Sequence, residues 1–206
     1  HGGAMLFSLL KSAFGRKQKQ ADEQPLEERD DEELMLLYAQ GEVRAFEILL
    51  NRHEKPLYNY ILRSVKRQDI AEELLQEVFL RVVRSAPKYK QSAKFTTWLY
   101  TIALNLRREY WRRMGRRRES PVELDERMLP TVEQADIVAK ENAAAVRKAL
   151  STLSDGQREV IELHWFEGFS FPEVAQIVGA SLSAVKVRAH RGYKVLKAEL
   201  RAEGVR

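Results

Sequence analysis

Leu153–Gly192 reads LSDGQREVIELHWFEGFSFPEVAQIVGASLSAVKVRAHRG, and this stretch decides the fold. Ser154 with Gln157 three places on, and Ser170 with Glu173, have the capping-box pattern, in which each side chain satisfies a backbone amide at a helix start. Ser181 can cap a further helix, and Gly168 and Gly179 end the two before it. The spacing predicts helices from Ser154 to about Phe166, over a short segment closed by Gly179, and from Ser181 to about Ala202. Two short helices across a glycine-containing turn, led by a third, form the helix-turn-helix arrangement whose second member enters the DNA major groove. In the last helix Leu182, Val185, Ala189, Tyr193, Leu196 and Leu200 make a packing stripe at about 100° per residue. Ala184, Val187, Arg188 and Arg191 then point away, flanked by Ser183, Lys186, His190 and Lys194. Small, basic and hydrogen-bonding side chains suit base-edge readout, and Val187 suits a thymine methyl. His190 taken alone carries little weight.

Working back along the chain, Arg116 to about Ala135 holds Pro121 and Pro130 and no sustained period, the pattern of a linker. So long a structureless loop is improbable inside one compact domain, so two domains are expected. The expected division is a tag remnant and disordered leader over 1–29, a first helical domain over 30–114, a linker over 115–135 and a second helical domain over 136–206, where Asp136 to Leu150 opens the helices.

Before the linker lies Lys94–Arg118, KFTTWLYTIALNLRREYWRRMGRRR. Helical periodicity puts Leu99, Ile102, Ala103, Leu106 and Tyr110 on one side and Trp98, Thr101, Asn105, Arg108 and Arg112 on another. The first set reads as core. The second combines an indole, an amide and guanidinium groups, the means by which proteins grip unpaired nucleic acid. Gly115 is expected to end this helix, and Arg116–Arg118 belong to the linker. The basic loop PKYKQSA, Pro87–Ala93, feeds it.

Three further helices are expected ahead of that loop: Asp31–Gln40 closed by Gly41, Val43 to about Val65, and a third opened by an Asp69–Glu72 capping box and lasting to about Ser85. Pro56 is expected to kink the second or divide it in two. In the third, Ile70, Leu74, Val78 and Val82 fill one face, while Phe79, Leu80 and Val83 spread over the other side. A helix apolar nearly all round is buried or has a second partner, and Glu73, Gln76 and Glu77 on the second surface favour the partner. The strand-type alternation of apolar and polar residues is absent throughout, so the fold class is all-α: two small helical domains joined by a flexible linker.

Composition narrows the chemistry. The 206 residues carry a net charge of +5 and no cysteine, which removes disulfides, thiolate metal sites and cysteine nucleophiles. Positive charge gathers in two patches, Arg107–Arg118 and Lys186–Lys197, and two patches suggest two contacts on one polyanion. No paired-carboxylate site, activated nucleophile, phosphate-cradling glycine loop or metal spacing occurs, so no enzyme, cofactor or metal is expected. HGGA before Met5 reads as a tag remnant. The apolar run Met5–Phe14 is far short of the ~20 residues of a spanning helix and is read as a disordered tail. These residues leave open a two-domain DNA-binding regulator and an RNA-binding protein.

Three ordered strings go further. AEELLQEVFLRV, FTTWLYTIALNLRREYWRR and the opening stretch together resemble the extracytoplasmic function (ECF) sigma factors of the sigma-70 family, over about Asp31–Arg113 and Leu153–Leu200. The resemblance implies a cytoplasmic transcription initiation factor that directs core RNA polymerase to promoters under control of an anti-sigma factor. It implies that the first domain is sigma region 2, docking through Glu73, Gln76, Glu77 and Leu80 on the clamp helices of the largest polymerase subunit. It implies that Asn105 reads the −10 element of promoter DNA, with Trp98, Thr101, Arg108, Arg112, Lys88 and Lys94 around it, and that the loop Lys88–Lys94 shelters a flipped base. The second domain resembles region 4, reading the −35 element through Lys186, Val187, His190 and Arg191, with Arg188 on phosphate. Glu109 stands where the family commonly has aspartate.

Overall fold

The computed structural model describes residues 25–91, 93–115 and 145–204, and the chain divides into two units, His1–Leu124 and Asp125–Arg206. The apolar run 5–14, the linker 116–135 and the first part of the helix expected from Asp136 lie outside the described residues. All regular structure among those described is helical.

In the first unit α1 (Asp31–Ala39), α2 (Val43–Val65), α3 (Gln68–Ser85) and α4 (Phe95–Arg113) pack around one core. A 3-10 turn, Leu26–Glu28, precedes α1, and another, Ala86–Lys88, follows α3. Asp30 starts α1 by accepting from the Glu33 amide at 2.7 Å. Leu26–Glu28, assigned by sequence to the leader, is tied to α2: Arg52 donates to the Glu27 carbonyl at 2.6 Å and the Arg29 carbonyl at 2.9 Å.

The structure corrects three local expectations. Pro56 does not divide α2, which runs unbroken over 23 residues. The proline is solvent-exposed, while Leu57, Tyr60 and Ile61 just beyond it are fully buried, so tertiary packing keeps the helix continuous despite the missing amide. The Asp69–Glu72 capping box does not form. Lys66 turns the chain in the left-handed region, φ 56°, and α3 already begins at Gln68 with Arg67 at its N-cap. Asp69 therefore lies inside the first turn and accepts from Arg67 Nε at 3.1 Å. Third, the buried stripe of α3 is Ala71, Leu75, Val78, Phe79 and Val82, with Ile70 and Leu74 only half-buried. Phe79 enters the core and meets Phe46 edge-on at 6.2 Å between ring centroids. Its large apolar area outweighs that of the aliphatic residues that would otherwise occupy that side.

The second unit holds a helix described over 145–151 (α5), α6 (Asp155–Ile161), a π-helical turn (Glu162–Phe166), α7 (Phe171–Val178) and α8 (Leu182–Ala202). Both expected capping boxes are present, Ser154 with Gln157 and Ser170 with Glu173. Gly179 closes α7 at φ 69°, a backbone conformation that side chains disfavour. Arg158 latches α6 to the end of α5, donating to the carbonyls of Leu150, Ser151 and Leu153 at 3.0 Å each. Val160, Leu163, Val174, Ile177, Val185 and Ala189 form the core. Gly192, in the middle of α8, permits the close approach of α6: a Cβ there would stand 2.5 Å from Ile161 Cδ1.

Candidate nucleic-acid interface

The chemistry of α4 depends on which of its many basic and aromatic residues the core takes up. Leu99, Ala103 and Leu106 are buried as expected, and so are Tyr100, Leu104 and Arg107. Arg107 is only 4% exposed, its guanidinium 4.7 Å from the centre of the Tyr60 ring, which in turn lies 5.0 Å from Tyr100. The first residue of the basic patch is thus a core residue stabilised by a cation–π contact. Burial pushes the Tyr100 hydroxyl up to about 12, an effect the charge of Arg63 opposes, so the phenol is neutral at physiological pH.

What remains outside is a single run. Asn105, Arg108 and Arg112 are all exposed and spaced three and four apart, so they share one side of the helix. Upstream on that stripe the picture differs. Thr101 is half-buried and spends its hydroxyl on the Thr97 carbonyl at 2.8 Å. Trp98 is half-buried in an aromatic cluster, 5.2 Å from Tyr89 and 5.8 Å from Phe95 between ring centroids. Lys88 and Lys94 are exposed on either side of the loop 89–93. The Tyr89 hydroxyl is buried without a hydrogen-bond partner, and burial together with the nearby charges of Glu32, Asp30 and Asp31 pushes it up to about 12.

On α3, Glu73 and Gln76 are exposed, whereas Glu77 and Leu80 are half-buried. Glu77 accepts from Arg81 Nε at 3.1 Å and lies 3.7 Å from Arg84. Arg81 reaches across to Glu109 of α4 at 3.1 Å, and Glu109 stands 3.9 Å from Arg113. Glu109 therefore joins the two helices. The i,i+4 spacing of Glu77 with Arg81 and of Glu109 with Arg113 is legible in sequence, but the link between α3 and α4 arises only on folding.

The sequence also hides how α4 is started. Lys94, at its N-cap, contributes no side-chain hydrogen bond. The first amide, that of Phe95, donates instead to Glu32 of α1 at 2.5 Å. The neighbouring Asp31 is fixed by Arg52 Nη1 at 2.8 Å and His53 Nε2 at 2.7 Å. Burial alone would raise the Asp31 carboxyl, but the hydrogen bonds and charges of His53 and Arg52 overcome it and hold the group below its usual range.

In the second unit Lys186, Val187, His190 and Arg191 are exposed along α8, with Val187 47% exposed. Arg188 is half-buried: its guanidinium arm passes over Gly156, where a Cβ would lie 3.6 Å from Nε. Leu182, expected in the packing stripe, is 39% exposed, because Ser181 turns the chain so that Val185 is the first side chain of α8 to reach the core. Trp165, 68% exposed on the π-helical turn, donates its indole N–H to the Tyr193 hydroxyl. The described residues hold no cluster that would bind a metal and no helix long and apolar enough to cross a membrane.

Comparison with known proteins places both units. The family described as Sigma-70 region 2 matches residues 49–117, and Sigma-70 region 4 matches residues 143–196. The RNA polymerase sigma factor CarQ of Myxococcus xanthus is 33% identical over 164 residues, covering 78% of this chain and 91% of CarQ. The ECF RNA polymerase sigma factor SigX of Bacillus subtilis is 32% identical over 161 residues, covering 74% of this chain and 81% of SigX. Among solved structures, CnrH in complex with the cytosolic domain of CnrY superposes with a TM-score of 0.64 at 29% identity, covering 84% of this chain and 97% of that one. A region 2 bundle with an exposed asparagine–arginine run, a region 4 helix-turn-helix with an exposed basic α8, and a third of residues shared with CarQ over most of both chains lead to one assignment: this chain belongs to the ECF sigma factors of the sigma-70 family.

Proposed function

We propose that this sigma factor directs core RNA polymerase to its promoters through three surfaces. The α3 surface bearing Glu73, Gln76, Glu77 and Leu80 docks on the clamp helices of the largest polymerase subunit. On α4, Asn105 reads a base of the exposed −10 strand and Arg108 and Arg112 hold its phosphates, with Lys88 and Lys94 beside the loop that shelters a flipped base. Trp98 and Thr101 line the start of this surface, Trp98 offering only the face that its aromatic cluster leaves open. On α8, Lys186, Val187, His190 and Arg191 read the −35 duplex, and Arg188 meets phosphate. The observation that carries this reading is the side of α4 on which Asn105, Arg108 and Arg112 stand exposed together while Arg107 is withdrawn into the core.

The energetics assign melting to the holoenzyme. Stacking a base on an aromatic or guanidinium face is worth roughly 1–3 kcal/mol, and flipping one out of the duplex costs a few kcal/mol. These terms nearly cancel, so the free protein binds promoter duplex weakly and opens it only with core polymerase. The protein itself carries no enzymatic activity and works in the cytoplasm, where its template is. Control by an anti-sigma factor that covers α3 fits the half-exposed Leu74, Leu80 and Val83 there, and the similar CnrH was solved in complex with a protein partner, the cytosolic domain of CnrY. Run-off transcription with core polymerase across a promoter library tests the whole: promoter-selective initiation with defined −10 and −35 preferences is expected, and initiation independent of promoter sequence would overturn it.

A further inference from the structure

The start of α4 is where the −10 reading helix meets the loop before it, and its first amide is not satisfied locally. Lys94 gives no cap, so Glu32 spans 63 positions of sequence to accept from Phe95 N–H. A carboxylate there satisfies an orphan donor and also faces the positive end of the helix dipole. Glu32 is held to this task by its neighbours. Asp30 caps α1 at 2.7 Å, and Asp31 is clasped by Arg52 and His53 from α2. The His53 ring lies 5.5 Å from Phe95, and Phe95 lies 5.8 Å from Trp98. One acidic turn at the head of α1 thus holds the first turn of α4, directly through Glu32 and, by way of Asp31 and His53, against the Phe95 ring.

We propose that Glu32 is a positioning residue for promoter opening: its carboxylate pins the first turn of α4 and thereby holds the side of α4 bearing Asn105 in the arrangement that receives the unpaired strand. The inference rests on the −10 assignment made above. Its force comes from the near cancellation of stacking against unpairing. Where the net driving force is small, a first turn that had to be reordered at each binding event would subtract directly from it.

The test uses the full chain with core polymerase and a promoter carrying 2-aminopurine in the −10 element. Glu32→Ala is expected to slow opening roughly fivefold, the equilibrium equivalent of a lost cap. Affinity for core polymerase and for a −35 duplex should stay within about twofold, because neither surface involves α4's first turn. Glu32→Gln keeps a carbonyl acceptor at the same reach and should restore most of the rate. If Glu32→Ala does not fold, Glu32→Asp, which keeps the charge but is one methylene short, should slow opening with core binding intact. Opening at the wild-type rate in the variant that folds, or loss of core affinity in the same proportion, overturns the proposal. Asn105→Ala, run in parallel, separates the two failures: if it leaves opening unchanged, the −10 assignment itself is wrong.

Discussion

The two helices proposed to face DNA, α4 in the first unit and α8 in the second, carry similar chemistry but are started differently. Ser181 caps α8 from the position immediately before it, accepting from the Ala184 amide at 3.2 Å, and Gly179 closes the helix ahead of it. Every device that starts α8 lies within a few residues. The start of α4 has no such local device and depends on Glu32, while its basic run is sorted by burial, Arg107 inside and Arg108 and Arg112 outside. The start of α8 is set by local sequence. The start of α4 is set by the rest of its unit.

If that contrast holds, damage to the core of the first unit should disable α4 and spare α8. Phe79→Ala removes a buried ring and should destabilise the first unit by about 3–5 kcal/mol. Thermal or urea unfolding followed by tryptophan fluorescence should show the transition of the second unit unmoved, and a shift of both together would break the contrast. Asp31→Asn tests the clasp beneath Glu32 and should cost about 1–3 kcal/mol at neutral pH, since it weakens part-buried bonds from Arg52 and His53. The sign of its pH dependence follows from the lowered carboxyl. Stabilisation is present above the ordinary value of 3.8 and is lost as pH falls through the lower, folded-state value. Variant and wild type should therefore converge in acid, and a difference independent of pH would remove the ionic part of the argument.

The readout itself gives a finer comparison. Arg191→Ala should lose about 1–3 kcal/mol on the cognate −35 duplex and little on unrelated duplex, as expected for a base-edge contact. Arg112→Ala should weaken binding to all promoters alike and reduce the slope of log K against log salt by about one. Sequence-blind losses from both substitutions would show that α8 is as indifferent to sequence as α4's phosphate contacts. The smallest effect belongs to Ser181→Ala, which removes a local cap and should cost about 1 kcal/mol, confined to the second unit.

Much of this was legible in the residues. The capping boxes at Ser154 and Ser170 and the glycine stop at Gly179 are local hydrogen-bonding and steric signals, and they located the elements of the second unit to within a few positions. On α8 periodicity found the exposed Lys186, Val187, His190 and Arg191, because one face of that helix is left uncovered, but not the exposure of Leu182 or the partial burial of Arg188 over Gly156. Periodicity served less well where a helix is packed from more than one side. On α3 it could not choose between Leu74 and Phe79 for the core, and on α4 it could not tell that Arg107 would be withdrawn beside Tyr60. The Asp69–Glu72 pattern misled for a different reason: the two-residue connection Lys66–Arg67 moved the helix start ahead of the residue that would have capped it.

Helical character, the helix-turn-helix, the asparagine–arginine run and the family were determined by the sequence alone, because each rests on interactions between residues a few positions apart or on an ordered set of motifs. The tertiary structure decided which aromatic fills the core, which arginine leaves the surface, how Glu109 joins α3 to α4 through Arg81, and that Glu32 starts α4. Those outcomes depend on pairings between residues tens of positions apart. Loop closure and mutual burial select among many such pairings at once, so no short window of sequence contains the answer.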